Sequence, residues 1–339
     1  MSFLLEYDHA DPRRQAQLVG EWLNVRHREL FAELRRDRPI LNSPGAVIVT
    51  KYRDVTEVLA RDEVFSVRAY RSKMEEMTGP FILSEDDTPT YQRDKSVLRL
   101  AIRREDIPAI RRFVTGTSQE LIKGIGSKRF NVVSEYTYRL PTRLVQEYFG
   151  VPGPDEKTLQ RWLRTIFFHT FLNLGDSPEV REPAVQSSSE MVNYLAVKIA
   201  DAMQCDGKGG SSFPGGDILH RLVQLRAAPQ SRLTPQEIRH NLIGLTVGVV
   251  DGTSRAIAQI LRQLFDRPEQ LAAAKKAARE DDDELLERYV FEALRFDPQN
   301  KLLVRFSEKP CTLGKGTTWK TDIPPPKAGL GSDVIGDGG

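Results

Sequence analysis

The sequence predicts a mainly α-helical fold with a small β-region. Most segments carry apolar residues at the spacing of amphipathic helices, and short strand-like runs occur at residues 46–50 and 302–306. The chain has 339 residues, 40% of them hydrophobic, which is enough to bury about three quarters of its unfolded surface. We expect one domain over residues 1–326 and a disordered, glycine-rich tail over residues 327–339.

The composition excludes several classes of protein. Lys and Arg total 49 against 47 Asp and Glu, so no basic excess indicates a nucleic-acid partner. The two cysteines, Cys205 and Cys311, cannot form a disulfide framework or a clustered zinc site, and they suit a reducing cytoplasm. No run of 18 apolar residues predicts a membrane span. The histidines show no metal-ligand spacing, so we expect no bare metal site. Together, these observations predict a cytoplasmic protein with no membrane anchor and no nucleic-acid partner.

The first third of the chain predicts helices around a short strand. Asp11-Pro12 opens a helix that stops before Pro39, because the residue before a proline disfavours helical geometry. A strand at residues 46–50 and a helix from Tyr52 follow. Residues 66–84 show little periodicity and predict a long loop, which is either a surface connection or a functional segment.

The middle of the chain predicts further helices. One ends near Gly150, and two others carry aromatic and apolar stripes over residues 162–171 and 191–203, which indicate core packing. Residues 205–216 predict a flexible glycine and serine linker. Thr234-Pro235 then supplies the cap and first-turn proline of a long central helix.

That central helix carries a stripe of small residues. Gly244, Gly248, Gly252 and Ala256 recur every fourth residue, so one face of the helix has almost no side chains. Each interior glycine costs about 1 kcal/mol relative to alanine, which close packing or function must offset. The face either lies over a flat ligand or packs closely on another helix. Asp251 is the only carboxylate in this apolar run.

A second helix in this region ends at a proline. Pro298 forces Asp297 out of helical geometry, so Glu292 and Arg295 lie one turn apart at the end of the helix. We expect these two side chains to form a buried structural pair that holds the helix end against the chain that follows.

Together, the small-residue helix with its acid, a proline-marked linker and a Glu-x-x-Arg helix ending before a proline resemble the cytochrome P-450 superfamily of haem-thiolate monooxygenases. Residues 46–67 are similar to its bacterial members, and the resemblance spans roughly residues 10–325. It implies the cytochrome P-450 fold, a haem b cofactor, a ferredoxin-type electron donor and hydroxylation of a small hydrophobic substrate with dioxygen. A terpenoid is the substrate class that the general likeness favours.

The resemblance also implies which residues contact the haem. Tyr91 and Lys95 stand where the family has a His-x-x-x-Arg pair for the haem propionates, and both can donate to a carboxylate. Arg305 stands where the family has a further propionate-binding arginine. Gly248 and Gly252 would face the haem.

Two residues of the central helix are candidates for catalysis. The family pattern places a threonine directly after the acid, and that position is Gly252 here. Thr253 comes one residue later and is rotated by about 100°. We take Asp251 as a candidate proton relay and Thr253 as the nearest hydroxyl. The resemblance implies that losing the hydroxyl at position 252 favours uncoupled oxygen reduction.

The family's iron ligand has no counterpart in this sequence. The resemblance requires a Phe-x-x-Gly-x-x-x-Cys loop and a final helix, whereas residues 327–339 are glycine-rich and both cysteines lie in unrelated contexts. We therefore expect a cytochrome P-450 fold lacking the C-terminal haem-ligand loop and last helix, truncated and inactive. The alternative is a haem-free helical scaffold or interaction protein.

Overall fold

The computed structural model describes residues 2–126, 129–173, 176–207, 211, 213–226, 228, 231–314 and 321–323. The predicted tail at residues 327–339 lies outside this part of the chain, as does part of the predicted linker at residues 205–216. No described helix is long and apolar enough to cross a membrane.

Helices dominate the described residues, as the apolar spacing predicts. Their bounds are α1 Phe3–His9, α2 Pro12–Val25, α3 His27–Asp37, α4 Tyr52–Ala60, α5 Arg71–Met77, α6 Pro89–Ala101, α7 Ile107–Ile125, α8 Arg139–Glu147, α9 Glu156–Phe167, α10 Pro178–Gln204, α11 Ile218–Leu225, α12 Pro235–Phe265, α13 Pro268–Arg279 and α14 Asp283–Phe296. Short π-helical turns at Val133–Thr137 and Phe168–Leu172 connect some of them.

The β-region is small, and its described strands form three antiparallel pairs. The strands are β1 Ile40–Ser43, β2 Ala46–Val49, β3 Phe65–Ser66, β4 Phe306–Ser307, β5 Cys311–Leu313 and β6 Thr321–Ile323. The pairs are β1 with β2, β3 with β4, and β5 with β6. The β3–β4 pair ties the chain after α14 back to the N-terminal part of the molecule, with Phe65 opposite Ser307.

The main core forms around α12. Side chains of α8, α9, α10 and α11 pack against its buried apolar residues, which include Leu242, Ile243, Val247 and Val250. A second cluster joins α1, α2 and α3 to the β1–β2 hairpin. Other helices therefore cover the buried apolar side of this long central helix. What can approach its remaining sides depends on where the small-residue stripe lies.

Several predicted boundaries are confirmed. Asp11 caps α2 with Pro12 in its first turn, and α14 ends at Phe296, two residues before Pro298. Thr234 accepts a hydrogen bond from the backbone of Glu237, whose carboxylate bonds back to the cap residue. This reciprocal capping box satisfies donors that a helix start leaves unpaired.

Two predictions about local structure were wrong. Residues 66–84 are not one long loop, because they contain the helix α5, whose residues Met74 and Met77 are buried in the main core. The strand predicted at residues 302–306 is limited to β4, because only Phe306 and Ser307 find a partner strand. Leu302, Leu303 and Val304 are exposed. Their apolar character was therefore not sufficient to form a strand, because strand propensity depends on packing against neighbouring side chains.

Candidate functional site

The small-residue stripe of α12 divides into a covered part and an open part. A Cβ atom at Gly244 would lie 2.4 Å from the ring of Phe81, so this position must be glycine for the ring to pack there. At Gly248 and Gly252, no described heavy atom beyond the neighbouring helix backbone comes within 4 Å of the Cβ position. Gly244 is therefore closely packed, by a ring from a segment outside the α-helices instead of by another helix, and the face is open at Gly248 and Gly252.

The segment after α5 covers the Gly244 end of the stripe. Gly79 has a φ of 81°, and its backbone runs against the ring of His240, one turn before Gly244 on α12. A side chain at position 79 would strain the backbone and overlap this ring. The buried Phe81 ring follows directly. The segment that sequence periodicity treated as a loop thus bounds one end of the open face.

Asp251 lies beside the open face and is held by a tyrosine. The hydroxyl of Tyr138, directly before α8, donates a hydrogen bond of 3.1 Å to Oδ2 of Asp251. Burial raises the pKa of Asp251 to about 6, although this hydrogen bond and the charge of Arg164 favour the ionised form. Burial and the nearby carboxylate raise the pKa of Tyr138 as well, so the phenol stays protonated. The carboxyl can therefore gain or lose a proton close to neutral pH.

The structure does not bring Thr253 to Asp251. Two helix positions correspond to a rotation of about 200°, so the two side chains leave α12 on opposite sides. Thr253 is exposed, whereas Ser254, one turn after Asp251, is buried and bonds the hydroxyl of Thr137 at 3.0 Å. Asp251 and Ser254 both face the turn at Val133–Tyr138.

The predicted propionate donors are brought together only in part. Lys95 donates to the hydroxyl of Tyr91 at 3.1 Å, and its ammonium lies 4.8 Å from the centre of that ring. Arg305 donates to the adjacent carbonyl of Val304 instead. Arg305 directly precedes β4, and the β3 residue Ser66 donates to Asp86, just before α6. The side chain of Arg305 makes no described hydrogen bond to Tyr91 or Lys95.

The two cysteines lie in different parts of the fold. Cys205 is exposed at the end of α10, next to Gln204, which lines a surface groove by the start of α12. Cys311 lies in β5 and packs with the small apolar cluster of Ile40, Val64 and Phe65. The open face at Gly248 and Gly252 leaves room for a flat cofactor, and Tyr91 with Lys95 can donate to an acid group.

The predicted burial of Glu292 and Arg295 was wrong. The two side chains form a bidentate pair at 2.7 Å, but they are 53% and 65% exposed. The end of α14 is held by other residues: Asp297 is buried and pairs with Arg262 of α12, and Gln299 donates to the carbonyl of Gly252. These contacts hold the chain after α14 against α12, so the Glu-x-x-Arg pair is free to face solvent.

Sequence reasoning missed three of the residues that shape this region. Tyr138 lies 113 positions from Asp251 along the chain, and Phe81 lies 163 positions from Gly244, so only folding brings these partners together. Gln299 stands in a polar segment with no periodicity. A tyrosine beside the predicted Leu140-Pro141 helix was the only available signal. Pairing it with Asp251 required the packing of α8 on α12.

Comparison with known proteins finds monooxygenases that resemble this chain in sequence. A cyclomarin C epoxidase from Salinispora arenicola is 24% identical over 271 residues, which are 78% of this chain and 64% of that protein. A steroid C26-monooxygenase from Rhodococcus jostii is 24% identical over 293 residues, 80% of this chain and 57% of that protein. The chain therefore spans less than two thirds of the length of these curated relatives. No family model matches the chain.

The solved structures that resemble this chain share its fold. A cytochrome P-450 from Chondromyces apiculatus superposes with a TM-score of 0.72 at 22% identity, covering 90% of this chain and 72% of that one. Its fold agrees with the helix order and small sheets described above. The chain therefore shares the fold of the cytochrome P-450 structures and resembles cytochrome P-450 proteins in sequence.

Proposed function

We propose that this chain forms the substrate-side half of a monooxygenase site for a small hydrophobic molecule. The observation that carries the proposal is the open face of α12 at Gly248 and Gly252, bounded by Phe81. A flat cofactor can approach the helix backbone there, since no side chain stands in its way. Haem bound through a thiolate would supply oxygen activation, and the chain's own residues shape the space above it.

Asp251 is the residue that we propose as proton donor for this site. Its pKa of about 6 is matched to neutral pH, where a carboxyl both takes up and releases protons readily. Tyr138 holds Oδ2 at a defined position, so the second carboxylate oxygen is free to contact water. A catalytic role of the Thr253 hydroxyl stays a prediction from the sequence, because Thr253 is exposed and its side chain leaves the helix on the side opposite to Asp251.

We propose that Tyr91 and Lys95 together bind one acid group of the cofactor. Their mutual hydrogen bond brings a neutral donor and a cation to one point, and both can turn toward a carboxylate. Arg305 is proposed as the second donor, reached by replacing its bond to the Val304 carbonyl. A ferredoxin-type electron donor, a cytoplasmic location and a terpenoid substrate stay predictions from the resemblance.

We also propose that the 339-residue chain by itself forms no thiolate-ligated haem. The support is the position of its only two thiols. Cys205 lies at the end of α10, and Cys311 lies in β5 and packs against a small apolar cluster. These positions favour the second candidate function, a haem-free helical protein that binds a hydrophobic ligand or a partner.

The test is the haem content and the carbon monoxide spectrum of the purified, reduced chain. We expect no thiolate-type band from residues 1–339, and a thiolate-type band would contradict the proposal. Gly248→Leu is the companion variant: it would block uptake of added haem if the open face receives the cofactor. Equal haem uptake by this variant and the unmodified chain would instead favour the haem-free alternative.

A further inference from the structure

A surface groove lies between the end of α10 and the start of α12, away from the site described above. Its volume is about 750 Å³, within the range of roughly 300–1,000 Å³ that is usual for small-molecule sites. One wall carries apolar residues of α10, among them Ile199 and Met203, and the other carries Pro235 of α12. Arg226 and Arg239 complete the lining.

The groove is distinct from the open face of α12. Arg239 precedes Gly248 by nine positions, which correspond to a rotation of about 900°, or two and a half turns. Arg239 and Gly248 therefore leave the helix on opposite sides. A molecule in the groove would not contact the face that we assign to the cofactor.

The two arginines of the groove have unused hydrogen-bonding capacity. The Nε atoms of both Arg226 and Arg239 are shielded from solvent and have no hydrogen-bond partner among the described residues. Neither guanidinium pairs with a carboxylate in the described part of the chain, whereas most arginines of α9 and α10 do, such as Arg161 with Glu190. Because both residues line the groove and neither guanidinium has a hydrogen-bond or ion-pair partner among the described residues, their terminal Nη groups remain available to an acceptor placed in the groove.

We propose that this groove binds a small amphipathic carboxylate with an alkyl chain. The planar guanidinium groups of Arg226 and Arg239 match the geometry of a carboxylate, which accepts two parallel hydrogen bonds from such a group. The apolar side chains of Ile199, Met203 and Pro235 would cover the alkyl chain. The combination of an apolar wall with two unpaired cations selects for a molecule that has both parts.

The test is calorimetric titration of the complete 339-residue chain with decanoate below its micelle-forming concentration. We expect saturable binding that weakens at least tenfold in Arg226→Gln and in Arg239→Gln. Decan-1-ol, which keeps the chain length but has no charge, should bind at least tenfold more weakly than decanoate. Arg112→Gln is the matched control, since Arg112 is an exposed arginine of α7 outside the groove.

A second variant tests the groove without removing a charge. Ala200 is an exposed lining residue, so Ala200→Phe fills the groove while the buried core stays intact. We expect this variant to lose decanoate binding while keeping the circular dichroism and urea midpoint of the unmodified chain. It also decides the matter if an arginine variant fails to fold.

Three results would overturn the proposal: no saturable binding, equal affinity for decanoate and decan-1-ol, or unchanged affinity in both arginine variants. Because the groove lies on the far side of α12, the titration does not depend on haem. The proposal can therefore stand or fall separately from the proposed monooxygenase site.

Discussion

Arg221 and Asp106 form a buried ion pair, and its removal gives a sharp test of the structure. Arg221 of α11 is fully buried and Asp106, directly before α7, is 5% exposed. The guanidinium donates to both carboxylate oxygens and to the carbonyls of Ala101, Pro214 and Gly215. The hydroxyl of Tyr148 adds a hydrogen bond of 2.8 Å to the same carboxylate.

Replacing Asp106 by alanine would leave a buried guanidinium without its counterion. Three carbonyl acceptors would remain, but no negative charge, and the phenol of Tyr148 would lose its acceptor. Breaking a buried pair from one side costs about 3–5 kcal/mol, a large share of the roughly 5–15 kcal/mol that stabilises a typical protein. Glu292→Ala is the matched control, because water screens the exposed Glu292–Arg295 pair and its loss should change stability little.

Urea unfolding at pH 7, followed by circular dichroism, measures both variants. We expect a large fall in the midpoint for Asp106→Ala and a small one for Glu292→Ala. Burial acts to raise the pKa of Asp106, but hydrogen bonds from Arg221 and Tyr148 outweigh it and hold the pKa below 3.8. The contribution of the pair is therefore complete above about pH 4 and is lost as the pH falls through the folded pKa. Equal midpoints for the two variants at pH 7 would refute the reasoning.

Further predictions concern α12. Gly244→Ala should destabilise the protein by about 1–3 kcal/mol, because its Cβ would overlap the Phe81 ring, whereas Gly248→Ala should be neutral or stabilising by up to about 1 kcal/mol. Thermal melts of the two variants compare them, and equal losses would contradict the division of the stripe. Asp251→Asn should remove the part of the pH dependence of stability between pH 4 and 7 that this carboxyl contributes. In the unmodified chain, the raised pKa of Asp251 means that stability declines as pH rises from the unfolded value of 3.8 to about 6, by roughly 1.4 kcal/mol for each pH unit between these values. Urea midpoints at pH 4.5 and 7.5 measure this, and an unchanged pH dependence in Asp251→Asn would show that another group is responsible.

The local elements of this protein could be predicted from the sequence. Asp11 and Pro12 at the start of α2, the Thr234 capping box of α12 and Pro298 after α14 act through neighbouring backbone groups, so their effects are visible within a few residues. The glycine spacing on α12 likewise determined that one face of this helix would be smooth. The order of these features was sufficient to predict the cytochrome P-450 family and its fold.

Only the tertiary structure decided which groups pack against the glycines of α12 and which of the acid–arginine pairs are buried. Gly244 and Gly248 are identical in sequence terms, yet the Phe81 ring covers Gly244, whereas no described heavy atom beyond the neighbouring helix backbone lies within 4 Å of a Cβ position at Gly248. The two acid–arginine pairs show the same limit. Glu292–Arg295 could be predicted as a pair from its spacing, but its exposure depends on Asp297 and Gln299 holding the chain elsewhere. Asp106–Arg221 joins residues 115 positions apart, and no local pattern carries such information, since burial is a property of the packed chain.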